Sequence, residues 1–175
     1  TFNVDLLDLV QPVYGAPPLL AEEMRSGRID AVLNFWNYTA RLEGAGFKTL
    51  IGMADVMAGL GVAPPPPLVG FVWTTRFERS NPGAVSGLLA AVADANNLLA
   101  RDDAAWEKVR PGMRAKSEAE FKALRATYRA GIPEPWTGAY TASAAALLEL
   151  LSSLGQKDLI GAKTRFDPKL FNGTS

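Results

Sequence analysis

Between Asn34 and Arg41 the sequence NFWNYTAR sets two amides, an indole, a phenol and a guanidinium within eight residues. None of these groups is a strong nucleophile or a general base near neutral pH. They offer recognition instead. Asn34 and Asn37 supply paired donors and acceptors, Trp36 and Tyr38 supply flat apolar walls with one polar handle each, and Arg41 supplies a rigid fork of donors that suits an anionic group. The same residues also suit a purely structural role, with Phe35 and Trp36 in a core, Asn37 as a helix cap and Arg41 paired to an acid such as Glu43 or Glu22. The chain has no histidine and no cysteine. That removes Ser-His-Asp triads, thiolate nucleophiles, imidazole acid–base chemistry and nearly every structural zinc site. The expectation is a protein that is not an enzyme, with no catalytic residues, no metal ligands and no cofactor.

Other stretches carry weaker chemical signals. Trp136 closes a rigid loop, Gly131-Ile132-Pro133-Glu134-Pro135-Trp136, of a kind that can fold over a cleft or plug a helix end. Phe71 and Trp73 share one face of an extended run and suit a core better than a cleft wall. Glu22/Glu23 and Asp102/Asp103 are adjacent carboxylates, and neighbours in a helix do not face each other, so they read as solvated. Gly59-Leu60-Gly61 lacks the third glycine of a dinucleotide fingerprint.

The 18 basic and 18 acidic residues cancel, and the sequence pI is near 6.2, so there is no basic field to attract nucleic acid or anionic membrane. No window reaches 18 uninterrupted apolar residues, which argues against a membrane span. The chain begins at Thr1 rather than methionine, the expectation for a processed form or a piece of a longer protein. Absence of cysteine is compatible with an oxidising compartment.

The elements that position these residues follow from periodicity and punctuation. Residues 2–13 read as an extended segment closed by Pro12. Pro17 and Pro18 open a helix over 18–26, with Glu22 and Glu23 in its early turns and Gly27 beyond its end. Residues 29–36 form an apolar run that suits a central strand, and 37–44 a helix capped by Asn37. Residues 47–51 and 68–74 read as two further strands. The Pro64–Pro67 run is stiff and extended, suited to a crossing between two bodies. Beyond it the pattern is helical. Asn81-Pro82 opens a helix with Val85, Leu88, Leu89, Val92 and Leu99 on one face; a capping box at Ser117 and Glu120 opens a helix over 117–130 that buries Phe121, Leu124 and Tyr128; and residues 137–154 present Leu147, Leu150, Leu151 and Leu154. Three strands followed by about a hundred helical residues do not close a doubly wound sheet.

Two stretches, APPLLAEEMRSGRIDAVLNFWNYTARLEGAGFKTLIG and TTRFERSNPGAVSGLLAAVADANNLLARD, resemble in order and spacing the substrate-binding proteins of ABC importers for sulfonates, taurine, nitrate and thiamine precursors. The resemblance implies an α/β fold: the C-terminal portion of a two-lobed, type 2 periplasmic-binding-protein fold that is helix-rich after residue 76. It implies residues 1–63 as the remainder of the second lobe, 64–75 as a crossover segment with a strand, and 76–175 as helices of the first lobe. The implied function is periplasmic capture of a small molecule and delivery to the permease subunits, with the missing N-terminal half of the same protein as a further partner. Asn34, Trp36, Asn37, Tyr38, Arg41 and Trp136 are the expected ligand-binding residues, Asn37 standing where the family often has proline. The ligand expected is a sulfonate first and a heteroaromatic compound second. A helical protein-interaction module and a precursor-synthesis enzyme on the same fold are the alternatives.

Overall fold

The computed structural model describes residues 8–154, 161 and 165–171. Eight α-helices account for its regular structure: α1 Pro17–Arg25, α2 Trp36–Gly44, α3 Met53–Gly59, α4 Thr75–Ser80, α5 Ala84–Arg101, α6 Asp103–Met113, α7 Glu118–Ala130 and α8 Gly138–Ser153, followed by a 3-10 turn at Pro168–Leu170. Among the described residues there is no β-strand, so the α/β expectation, and with it the lobe of a type 2 periplasmic-binding-protein fold, is overturned. Residues 2–7 of the extended segment expected over 2–13 lie outside the described residues.

The physical reason is visible in residues 31–35. Their side chains alternate as a strand's would, with Val32 and Asn34 half-buried and Ala31, Leu33 and Phe35 exposed. The backbone N–H groups of residues 29–34 nevertheless meet no backbone carbonyl among the described residues. Composition and period two select an extended backbone, but a strand exists only by exchanging hydrogen bonds with a neighbour. Among the described residues the runs at 47–51 and 68–74 likewise pair with no neighbouring strand, the Phe47 N–H turning back to Leu42 O instead, and Phe71 is exposed rather than core.

The helices obey their local signals more closely. Pro17 and Pro18 occupy the first positions of α1, where a missing N–H costs nothing, and Gly27 takes the left-handed turn beyond its end at φ 70°. The N-cap of α2 is Phe35, not Asn37, which sits inside the helix. Ser117 caps α7, its hydroxyl accepting from Glu120 N at 3.1 Å. Asp102 caps α6, accepting from Ala104 N at 2.7 Å, and that helix runs through Pro111, the residue that hides it from a reading that treats proline as a stop. Asp103 is not merely solvated, since it pairs with Arg125 at 3.1 Å and Arg129 at 2.7 Å.

The chain divides into two compact units, one comprising Thr1–Thr49 with Asn96–Gly131 and the other Leu50–Ala95 with Ile132–Ser175. In the first, Ala21, Ala40, Leu42, Ala105, Trp106, Phe121 and Leu124 are buried. The tightest approach is between α2 and α7. A Cβ added to Gly44 would lie 2.6 Å from Glu120 Cα, closer than any side chain tolerates, and Ala40, one turn earlier, is fully buried. Two small residues therefore flatten α2 where α7 crosses it. Arg110 stacks 4.3 Å from the ring centroid of Phe121, covering it with a charged group whose head reaches Glu107 and Glu118.

The second unit holds α3, α4, most of α5, and α8. Met57 and Val62 are buried there, and the Ser143 hydroxyl, also buried, donates to Ala139 O at 2.9 Å. The expected apolar faces are partly realised: Leu147 and Leu150 are half-buried, whereas Leu88, Leu89, Leu151 and Leu154 are exposed.

Gly44→Ala is expected to destabilise the first unit by about 1–3 kcal/mol, because backbone lies in the way and cannot swing aside. Gly87→Ala, in open space within α5, is expected to be neutral or to stabilise by up to about 1 kcal/mol. Urea midpoints for the two variants check both; a tolerated Gly44→Ala contradicts the helix packing described.

Candidate functional site

A buried carboxylate organises the first unit. Glu120 stands in the first turn of α7 with 3% of its surface exposed, on the same face as Leu124 and Tyr128. Its Oε1 accepts from Arg41 Nη1 at 2.7 Å, its Oε2 accepts from Lys116 N at 2.6 Å, and Arg25 Nη2 lies 3.8 Å from Oε1. Burial by itself pushes this carboxyl up. The Arg41 and Lys116 hydrogen bonds and the charges of Arg41 and Arg25 together outweigh burial and hold it below the ordinary carboxylate value.

Arg41 does more than neutralise Glu120. It donates to Arg114 O at 3.3 Å through Nη1 and to Met113 O at 2.6 Å through Nη2, fastening the end of α6 to α2. Arg114 itself is the C-cap of α6 in the left-handed region at φ 51°. The partner of Arg41 is thus Glu120, 79 residues away, rather than Glu43 or Glu22. Glu43 instead accepts from the Thr49 hydroxyl, and Glu22 faces Lys116 at 3.1 Å.

Two cavities flank this pair within the first unit, and Asn37 and Arg41 line both. One, of about 330 Å³, is walled by Trp36, Trp106 and Tyr128 and floored by Leu99, Val109, Met113 and Leu124. Its aromatic rings meet edge to face: Trp36 and Tyr128 at 6.1 Å, Trp106 and Tyr128 at 5.4 Å. Two of the three are tied down, since the Tyr128 hydroxyl donates to Asn96 Oδ1 at 2.8 Å and Trp106 Nε1 donates to Leu99 O at 2.7 Å. Trp36 is half-exposed, and its Nε1 has no hydrogen-bond partner among the described residues. The other cavity, of about 250 Å³, is lined by Pro18, Ala21 and Tyr38 together with Arg25, Arg114, Lys116 and the two glutamates Glu22 and Glu120.

The residues expected to bind a ligand are distributed unevenly. Trp36, Asn37, Tyr38 and Arg41 are brought together on α2, and the Asn37 amide and Tyr38 hydroxyl have no hydrogen-bond partner among the described residues. Asn34 is occupied: its Nδ2 donates to Pro17 O at 2.9 Å and its Oδ1 accepts from Phe35 N at 2.9 Å, joining the start of α1 to the entry of α2. Arg41 has both of its Nη groups committed as described. Trp136 belongs to the second unit, where its Nε1 donates to Thr141 Oγ1 at 2.9 Å and its ring stacks on Phe171 at 4.9 Å.

Sequence reasoning missed Glu120, Arg25, Lys116, Arg114 and Trp106. A signal existed for Glu120, which lies one turn before Leu124 on an apolar face and so demands a cation, but the capping-box pattern supplied a simpler explanation. Among the described residues no group of histidines or carboxylates is arranged to hold a metal ion. No protein-family profile matches the chain, and no curated protein is significantly similar to it.

Because the Glu120 carboxyl is held low, its contribution to stability is complete above the ordinary value of 4.5 and is lost as the pH falls through the lower folded value. Glu120→Gln is expected to cost about 3–5 kcal/mol at pH 7, the range for breaking a buried ion pair, and to flatten the loss of stability below pH 4.5. Urea unfolding of both proteins across the acid range measures this; parallel curves contradict it.

Proposed function

We propose that the chain is the periplasmic solute-binding part of an ABC importer, capturing a small organic molecule and passing it unchanged to the permease subunits. The observation that carries this reading is the state of Trp36, Asn37 and Tyr38, whose polar groups are unpartnered and which stand along the aromatic cavity and its neighbour. Hydrogen-bonding groups that the fold leaves open, beside an apolar cavity with rigid aromatic walls, are the ordinary makeup of a small-molecule site. A volume of about 330 Å³ lies at the small end of such sites and suits one or two fused rings or a short aliphatic body.

The importer class rests on the resemblance of residues 16–52 and 74–102 to sulfonate-type binding proteins, and the absence of cysteine agrees with an oxidising compartment. Binding without chemistry agrees with a site made of amides, aromatics and a committed guanidinium, in a chain with neither histidine nor cysteine. The ligand proposed is a sulfonate first and a heteroaromatic compound second. No helix among the described residues is long and apolar enough to cross a membrane.

A second reading, a protein-interaction module, is favoured by one feature of the second unit. Leu68, Val69, Phe71 and Val72 are between 57% and 95% exposed in a single short stretch, more apolar surface than a solitary exposed side chain accounts for.

Titration of the protein with an alkanesulfonate, an arylsulfonate and an aminopyrimidine, followed by tryptophan fluorescence, separates the two. The solute-binding reading expects at least one probe to saturate, and expects Trp36→Ala to weaken it by about tenfold or more, the loss of one buried aromatic contact, with helix content unchanged. No saturation with any probe, or unchanged affinity in Trp36→Ala, favours the interaction module.

A further inference from the structure

The smaller cavity carries an imbalance that the fold does not resolve. Four cations, Arg25, Arg41, Arg114 and Lys116, and two carboxylates, Glu22 and Glu120, line it, an excess of two positive charges. Glu120 is answered by Arg41, and Glu22 by Lys116 at its exposed rim. The Arg114 guanidinium has no partner among the described residues. Arg25 is stretched between distant acceptors: its Nη2 donates to Arg41 O at 3.3 Å, while its Nε, shielded from solvent, has no hydrogen-bond partner and lies 4.0 Å from the nearest oxygen of Glu22. The Tyr38 hydroxyl and Asn37 amide, both unpartnered, border the same space.

A shielded guanidinium N–H without an acceptor is costly, and so is an accumulation of like charges around one small volume. The second cost falls if an oxyanion enters, because its oxygens accept from several donors at once and its charge offsets the excess. A neutral polar molecule leaves the charge excess in place. We propose that this cavity is an oxyanion-binding site, taking a sulfate-, sulfonate-, phosphate- or carboxylate-type group on Arg25, Arg114 and Lys116, with Tyr38 and Asn37 as uncharged donors.

The oxyanion has two sources with the same chemistry. A free inorganic anion occupies the cavity by itself; alternatively the group is the acidic end of a molecule whose apolar body sits in the aromatic cavity, since Asn37 and Arg41 border both spaces. The first source is independent of the transport reading, and the second rests on it.

The test is calorimetric titration in low-chloride buffer of the intact protein, of the double variant Arg114→Gln/Lys116→Gln and of Trp36→Ala, with sodium sulfate and with naphthalene-2-sulfonate as probes. Neither Arg114 nor Lys116 contributes its side chain to Glu120, so the double variant keeps the buried pair, and its helix content by circular dichroism confirms folding. Sulfate binding that the double variant weakens tenfold or more, and that Trp36→Ala leaves unchanged, supports a free-anion site. Naphthalene-2-sulfonate binding that both variants weaken, with sulfate bound weakly or not at all, supports the acidic end of a solute. Binding of naphthalene-2-sulfonate that depends on Trp36 but not on the two cations, with no sulfate binding, overturns the oxyanion site and leaves the solute-binding reading standing. Equal binding of both probes by the intact protein and the double variant, or no binding of either, overturns it outright.

Discussion

One carboxylate, buried between two helices, governs the arrangement of the first unit. Glu120 has left water almost completely, and a buried charge without a partner is far too costly to persist. Arg41 must therefore lie beside it, which fixes the rotation of α2 against α7; Arg41 can hold Met113 and Arg114 only if α6 ends where it does. Ion pairs of this kind contribute modestly to net stability, because desolvation consumes most of the attraction. Their effect here is on register. Sliding α2 over α7 takes Arg41 from Glu120 and leaves only the more distant Arg25 of α1 to answer its charge.

The close crossing of α2 and α7 and the open spaces beside it are connected consequences of that constraint. Gly44 and Ala40 bring the backbones together, so the larger side chains of α2 are displaced to the flanks, where they meet α1 on one side and α6 on the other. On the α6 side they border the aromatic cavity, and on the α1 side the cationic one. Trp36, Asn37 and Tyr38 are three consecutive residues of one helix turn, so they point in different directions, and Asn37 reaches both spaces. An apolar cavity and a charged one thus share a single turn of helix.

The second unit shows the contrasting case. Its stretch at 68–72 is rich in residues that favour extended backbone and burial, yet these side chains stand in solvent. Helix α4 is closed by local bonds alone, the Thr74 hydroxyl accepting from Phe77 N and the Asn81 amide donating to Phe77 O. Trp136 is held by Phe171 and Thr141. Local chemistry suffices to make turns and caps, but apolar residues in an unpaired extended run bury little without a neighbour.

That difference marks what was legible in the sequence. Prolines at the start of α1, Ser117 before α7 and the spacing of Phe121, Leu124 and Tyr128 announced helices to within a residue or two, because capping and amphipathic periodicity act over a few residues and need no distant partner. The cluster of Trp36, Asn37, Tyr38 and Arg41 was equally visible, since one turn of helix places them together. By itself the sequence determined that an amide, an indole, a phenol and a guanidinium share one turn of helix, and that no imidazole or thiol was present for chemistry. Only the tertiary structure decided that Arg41 spends its charge on Glu120, that Arg25, Arg114 and Lys116 converge on one cavity, and that the apolar runs at 29–36, 47–51 and 68–74 form no sheet. Each of these depends on contacts between residues far apart in the chain, or on a neighbouring strand, and neither is encoded in the spacing of a single segment.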